Sequence, residues 1–256
     1  MCIDTYIAIH ADCNKRNMEN NRIQKFEMTS FGLKRLAITT MLIDHLAFAV
    51  LPALLNGGFI RLFGSIEVYN ILHYCMRTIG RIAFPIFAFQ IVEGIRNTKN
   101  IKKYLGNLLI FGIISEIPFD LAFFGVPFFW NYQNVFFTLA LGMVAVLPMH
   151  FENNIFVKLA ALIFAIAVSH FIKCDYGIYG VLTVVLLYLL KNNRIALTIL
   201  GSLFTMIYQF SLTVIISFIA IYFYRGKRGK GNKWFYYCFY PGHLMLIYLL
   251  IKLIKI

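Results

Sequence analysis

From residue 36 onward the chain alternates long apolar runs with short polar or basic interruptions. The runs cover residues 36–55, 71–93, 106–125, 134–150, 155–172, 176–190, 195–208, 210–224 and 235–254. A helix needs about 20 apolar residues to cross the hydrocarbon of a bilayer, so this pattern predicts an all-α, polytopic transmembrane helical bundle of about nine spans. Residues 195–224 are too long for one span and short for two. Loop charge arbitrates between those counts. With nine spans and a cytoplasmic N-terminus, eighteen of the 24 Lys and Arg residues fall in cytoplasmic segments. Arg61, Lys173, Lys252 and Lys255 fall outside, and Arg77 and Arg81 lie within a span. Merging 195–224 into one helix would export the basic cluster at 225–233, against the positive-inside bias. Two short helices are therefore expected there, in a multi-pass protein of the cell (cytoplasmic) membrane.

Composition agrees with lipid as the solvent. Of 256 residues, 60% are hydrophobic and 14% charged, where a soluble domain carries about 25% charge. The net charge of +13 does not imply nucleic acid, because the cations sit in short clusters between apolar runs and form no basic recognition face. The five cysteines show neither pairing nor metal-ligand spacing, and read as small packing residues. Residues 1–30 form a polar leader with Lys15, Arg16, Arg22 and Lys25 and no apolar signal-peptide core. It is expected to be a loosely ordered cytoplasmic tail, with Met28 a second possible start. Residues 31–256 then form one transmembrane domain, without internal repeats or linkers.

Ionisable groups inside the spans need an explanation, since a mid-bilayer charge costs at least roughly 2.5–3.5 kcal/mol. Asp44 and His45 follow Lys34-Arg35 by about ten residues, near the midplane at ~1.5 Å per residue. His73, Arg77 and Arg81 recur every four residues and form one helical stripe. Glu93 ends the same run, Glu116 and Asp120 share a face of the third, and His243 lies at midplane depth in the last. The matching depths of Asp44, His45, Arg81, Glu116 and His243 predict a shared interior in which Arg81 pairs with Asp44 or Glu116. A buried ion pair that only fixes packing is the alternative for each residue alone. Pro85 and Pro118 interrupt the second and third spans beside these groups and free backbone carbonyls. His150 and His170, near span ends, read as structural.

These residue types bound the chemistry. Histidine takes a proton near neutral pH, and a carboxylate neighbour orients its ring. Arginine holds carboxylate or phosphate in a bidentate fork. No nucleophile elbow, phosphate loop, metalloprotease helix or dinucleotide fingerprint occurs. The simplest reaction is direct transfer between two bound substrates, with a histidine deprotonating the acceptor and no metal. The basic segment RNTKNIKKYLGN (96–107) fits anionic lipid, nucleotide phosphates or an ordinary positive-inside loop.

Five blocks carry a family resemblance: LKRLAITTMLIDHLAF (33–48), GRIAFPIFAFQIVEGIRNTKNIKKYLGNLLIFGIISEIPFDLAF (80–123), NVFFTLALG (134–142), DYGIYGVLT (175–183) and YPGHLMLIYL (240–249). The chain resembles the TraX family from about residue 31 to its end. That family was named from conjugative plasmids, where it is needed for N-terminal acetylation of pilin. It is similar to the wider transmembrane acyltransferases, including acyltransferase family 3 and the lysosomal heparan-α-glucosaminide N-acetyltransferase. These take acetyl-CoA from the cytoplasm and use a histidine in an early span. In family 3 an arginine precedes that histidine by eleven positions; here Lys34 and His45 have that spacing, with lysine in its place. The resemblance implies a membrane O- or N-acetyltransferase. His45 would be the base with Asp44 beside it, and Lys34, Arg77, Arg81, Glu93, Glu116 and His243 would shape the substrate and cofactor sites. Its partners would be membrane lipid, acyl-CoA as donor and an exported peptide or glycan acceptor, with no nucleic acid. A proton- or ion-coupled transporter is the rival reading, since intramembrane Asp, His and Arg also build proton relays; the lack of repeats counts against it. A non-catalytic assembly factor for a surface structure is the third.

Overall fold

The computed structural model describes residues 27–254; the leader, up to residue 26, lies outside the described residues. Every apolar run becomes helix. In chain order these are α1 (Ser30–His45), α2 (Leu51–Asn56), α3 (Ile66–Gly80), α4 (Ala83–Asn97), α5 (Ile101–Phe124), α6 (Val135–Phe151), α7 (Ile155–Phe171), α8 (Gly177–Leu189), α9 (Arg194–Gln209), α10 (Val214–Tyr222) and α11 (Lys233–Ile254). Among the described residues there is no strand beyond two isolated bridges. Four stretches are long and apolar enough to cross a membrane: Ser30–Asn56, Ile66–Asn97, Ile101–Phe124 and Trp234–Ile254. The other expected spans are shorter apolar helices of nine to seventeen residues. The chain does divide 195–224 in two, at Phe210, whose left-handed backbone (φ 49°) ends α9.

Two of the long stretches are interrupted where the polar residues sit. Thr29 starts α1 by accepting from Gly32 N at 3.0 Å. Directly after His45 the helix widens into a π-turn, Leu46–Val50, before α2 resumes. Pro52 accounts for this, because it has no N–H for the carbonyl one turn back and its ring crowds that carbonyl. In the second stretch α3 ends at Gly80 and α4 starts at Ala83, with Pro85 in its first turn. Carbonyls at this break find partners on α10: Thr213 Oγ1 donates to Thr78 O at 2.5 Å and Ser217 Oγ to Ile82 O at 2.9 Å. Pro118, expected to interrupt its span, lies inside an unbroken α5.

α4 is the hub. Eleven of its fifteen residues are buried, and it packs against α1, α6, α8 and α10. α11 lies along α5 and reaches α1, while α6, α7 and α8 form a second group around Ala140, Met143, Val184 and Leu187. The loop after α10 is clamped to the start of α1: Ser30 N donates to Lys227 O (2.9 Å) and Phe31 N to Arg228 O (3.1 Å). Gly231 permits this approach, since a Cβ there would stand 2.4 Å from the Phe31 ring.

Candidate functional site

Where α1 and α11 meet, two histidines face each other. His45 Nδ1 lies 2.7 Å from His243 Nε2, and His243 Nδ1 lies 2.7 Å from the carbonyl oxygen of Phe239, one turn back on α11. The ring planes differ by 9° with centroids 5.0 Å apart, so the hydrogen bond runs edge to edge in a common plane rather than ring over ring. The proton positions follow by elimination. A carbonyl only accepts, so His243 Nδ1 carries the hydrogen. His243 Nε2, unprotonated in the neutral ring, then accepts from His45 Nδ1–H. In neutral His45 this leaves Nε2 with a lone pair and no hydrogen. The chain from the Phe239 carbonyl through His243 to His45 thus selects the tautomer of His45 and holds its ring plane. Phe123 and Tyr240 meet the same ring edge-on, at 5.1 and 6.1 Å between centroids.

The expected role of Asp44 changes. Its carboxylate pairs with Arg77 on α3 at 2.7 Å and does not touch the His45 ring. Its other oxygen is buried with no donor, packed against Gly80. Successive residues of a helix diverge by ~100°, so Asp44 turns toward α3 while His45 turns toward α11. Arg77 also covers the Phe48 ring, 4.9 Å from its centroid. Arg81, expected to pair with Asp44 or Glu116, makes no ion pair among the described residues. It caps α3 at the break, near enough for its charge to act on Asp44 and Asp175.

Glu116 departs from expectation in the same way. Asn134 Nδ2 donates to Glu116 Oε2, and Asn134 N lies 3.3 Å from Oε1. Asn134 also caps α6 through Phe136 N (3.0 Å) and donates to Gly112 O (2.8 Å). Glu116 therefore lies at the positive end of the α6 dipole, joining α5 to α6 with no arginine. Asp120 accepts from Phe129 N at 2.7 Å. Asp175 was missed among the candidate residues. It accepts from Tyr132 OH at 2.7 Å, in a loop that Gln133 bridges to Cys174. Burial pushes its carboxyl up to about 6 despite that bond. Its only signal was its place in a polar DYG triplet between two apolar runs.

A cavity of about 510 Å³ opens at the end of the bundle that carries Lys34. Lys34, Arg228 and Glu93 are the charged residues of its lining, and Ile38, Met41 and Tyr240 are among the apolar and aromatic ones. Lys34 Nζ lies over the rings of Phe31 (5.1 Å) and Tyr236 (5.7 Å). Met41 precedes His45 by one turn, and Tyr240 touches the His45 ring, so the cavity leads toward the histidine pair. Glu93 accepts from Arg96 (2.9 Å), Tyr224 OH (3.1 Å) and Asn97 Nδ2 (3.3 Å). A smaller cavity, about 380 Å³, adjoins the first behind Glu93. Of the cations in the basic segment 96–107, Arg96 alone lines it; Lys99, Lys102 and Lys103 are exposed on the surface. No group of three His, Cys, Asp or Glu is placed to hold a metal among the described residues.

Fold and site together define a helical protein with membrane-length helices, a histidine pair of a half-buried His45 and a buried His243, and a cavity opening from one end. Residues 31–251 match the TraX protein family, and the chain belongs to it. It is 30% identical over 251 residues to the probable fimbrial assembly protein FimC, serogroup H1, of Dichelobacter nodosus, covering 88% of this chain and 96% of that protein. No solved structure matches the chain.

Proposed function

We propose that this TraX-family protein is an integral membrane acyltransferase. It transfers an acetyl group from cytoplasmic acetyl-CoA to a peptide N-terminus or glycan destined for a surface fibre. The observation that carries the reading is the hydrogen-bonded chain from Phe239 O through His243 to His45, which turns a bare Nε2 into a held general base. The acceptor's nitrogen or oxygen attacks the thioester carbonyl while its proton passes to His45 Nε2. The new C–N or C–O bond forms as the C–S bond breaks, and the departing thiolate takes the proton back from the imidazolium. His243 stabilises that imidazolium by accepting from its Nδ1–H. The 510 Å³ cavity is of the size that holds small organic ligands, about 300–1,000 Å³, and its lining includes two cations, Lys34 and Arg228. The TraX membership and the relative named for fimbrial assembly support an acceptor that belongs to a fibre.

The test is acetyl transfer by purified protein, with mass spectrometry of surface peptides and glycans from cells. His45→Ala should lower transfer by roughly 10²–10⁴-fold, the range of general-base catalysis, while acetyl-CoA still binds. His243→Phe should approach that loss. His243→Gln, whose amide oxygen can still accept from His45 Nδ1–H, should recover part of it. The relative's printed name speaks of assembly alone, which favours a non-catalytic assembly factor as the second reading. That reading prevails if the wild-type protein binds no acetyl-CoA and cells with His45→Ala still build their fibres.

A further inference from the structure

The smaller cavity is set apart by its charge. Arg96 comes from the end of α4, Lys191 from the α8–α9 loop, Arg194 from the first turn of α9 and Arg225 from the segment after α10. Four cations from three parts of the chain thus line one concavity, although the Lys191 ammonium also lies over the Tyr188 ring, 3.1 Å from its centroid. The one carboxylate among its lining residues, Glu93, is already paired with Arg96 at 2.9 Å. The N-terminus of α9 adds its partial positive charge, since Asn193 caps only Ala196 N, at 3.0 Å, and further N–H groups of the first turn point the same way. Arginine in particular holds phosphate well, through bidentate charge-assisted hydrogen bonds.

A basic bowl alone is common beside a membrane; the shared wall is not. Glu93, Asn97, Tyr224 and Gly226 line both cavities. The bond from Tyr224 OH to Glu93 Oε2 (3.1 Å) lies between them. One side is small, polar and cationic. The other is larger and carries several aromatic side chains in its lining, among them Phe31, Phe87, Phe136, Tyr236, Tyr237 and Tyr240. A ligand that fits both is elongated, with phosphates at one end and a flexible, weakly polar arm at the other.

We infer that the smaller cavity binds the phosphate-bearing nucleotide end of the acyl donor, whose arm passes the Glu93–Tyr224 wall into the larger cavity. This rests on the acyltransferase reading above, and it places the phosphates on Arg96, Lys191, Arg194 and Arg225 and not on Lys34 and Arg228 of the larger cavity or on the exposed Lys99–Lys103 run. The headgroup of an anionic lipid offers the same phosphate chemistry, so the experiment separates the two sources.

The full-length protein in detergent is titrated with adenosine 3′,5′-bisphosphate, which has the phosphates but no arm, and separately with acetyl-CoA. Binding to phosphatidylglycerol vesicles is measured alongside. Arg194→Gln and Arg225→Gln should each weaken bisphosphate binding by about ten-fold, the usual loss for one charge-assisted hydrogen bond. The double variant should weaken acetyl-CoA as well. Lys158→Gln, a cation in the first turn of α7 outside both cavities, should change neither. Both arginines are exposed, and unchanged thermal unfolding of the variants shows that they fold. Unaltered acetyl-CoA affinity in the double variant overturns the site while the donor reading stands. Loss of vesicle binding in the variants, with no bisphosphate bound by the wild type, assigns the bowl to lipid and also overturns it. Absence of acetyl-CoA binding by the wild type instead defeats the acyltransferase reading itself.

Discussion

Alanine at position 80 would place a methyl group 2.2 Å from Asp44 Oδ1 and 2.3 Å from both Asp44 Cβ and Cγ. Non-bonded heavy atoms rest at about 3.5–4.0 Å, so the gap falls short by more than an ångström. Rotating the carboxylate does not help, because Asp44 Cβ is fixed to α1. Relief requires α3 to move off α1, which pulls Arg77 from its 2.7 Å contact with Asp44. Overpacking costs about 1–3 kcal/mol. The ion pair adds more, though its side chains remain 24% and 18% exposed, which discounts it below the cost of breaking a fully buried pair. The total should be about 2–4 kcal/mol. Helix propensity runs the other way, since Gly→Ala in a helix gains about 0.5–1 kcal/mol, so the sign of the effect already discriminates. The assay is unfolding of the purified protein in increasing denaturing detergent, run as a double-mutant cycle with Asp44→Gly, which removes the clashing atoms. Gly80→Ala should cost at least about 1 kcal/mol less in that background, as expected for residues in contact. Equal costs in both backgrounds, or stabilisation by Gly80→Ala alone, would refute the packing described between α1 and α3.

Three further outcomes follow from the same geometry. Asn134→Ala removes the α6 cap and the donor to Glu116 together, so it should destabilise by about 2–4 kcal/mol in the same unfolding assay; a loss below 0.5 kcal/mol, within the scatter of neutral surface changes, contradicts the role given to Asn134. Thr213→Val combined with Ser217→Ala strips the α3–α4 break of both its α10 donors. It should cost about 1–3 kcal/mol, and the single variants should account for most of it additively. A reporter fused after Gly231 should read as cytoplasmic and one at the C-terminus as external; the same side for both shows that α11 does not cross once and overturns the nine-span count.

The sequence carried depth well and azimuth poorly. His45 and His243 each lie about ten residues from a basic segment, and that distance along the axis sufficed to place them at one level. They touch. The same reckoning matched Arg81 to Asp44 and Glu116 and failed, because rotation about a helix axis depends on where a helix breaks. The α3–α4 break takes in Arg81 itself, so its side chain leaves the stripe that Arg77 follows, and Arg77 is the one that meets Asp44. Pro85 announced that break, whereas Pro118 sits in an uninterrupted helix, so proline alone did not locate kinks. Asn134 and Asp175 were invisible as site residues for another reason. They stand at helix starts or in loops, where polar residues are ordinary, and only the folding of α5 against α6 brings Asn134 to Glu116. The lining of the two cavities was equally hidden, since it draws on segments far apart in the chain.

The helices also differ greatly in reach. The α3–α4 stretch contains 32 residues, whereas α9 has sixteen and α10 nine, or about 24 and 14 Å at 1.5 Å per residue. The apolar faces of α9 and α10, with Ile199, Leu203, Ile207, Ile215 and Ile219 exposed, look outward and not into the bundle. If α9 and α10 each cross the membrane, a hydrocarbon layer about 30 Å deep does not match that flank, and lipids beside it would compress, at a cost of fractions of a kcal/mol for each ångström. The dimple would be deepest on this side, giving the protein a directional elastic field in the membrane. Another short-spanned protein drifting into that field shares the deformation instead of making its own, so the two are drawn together through the lipid before any of their atoms meet.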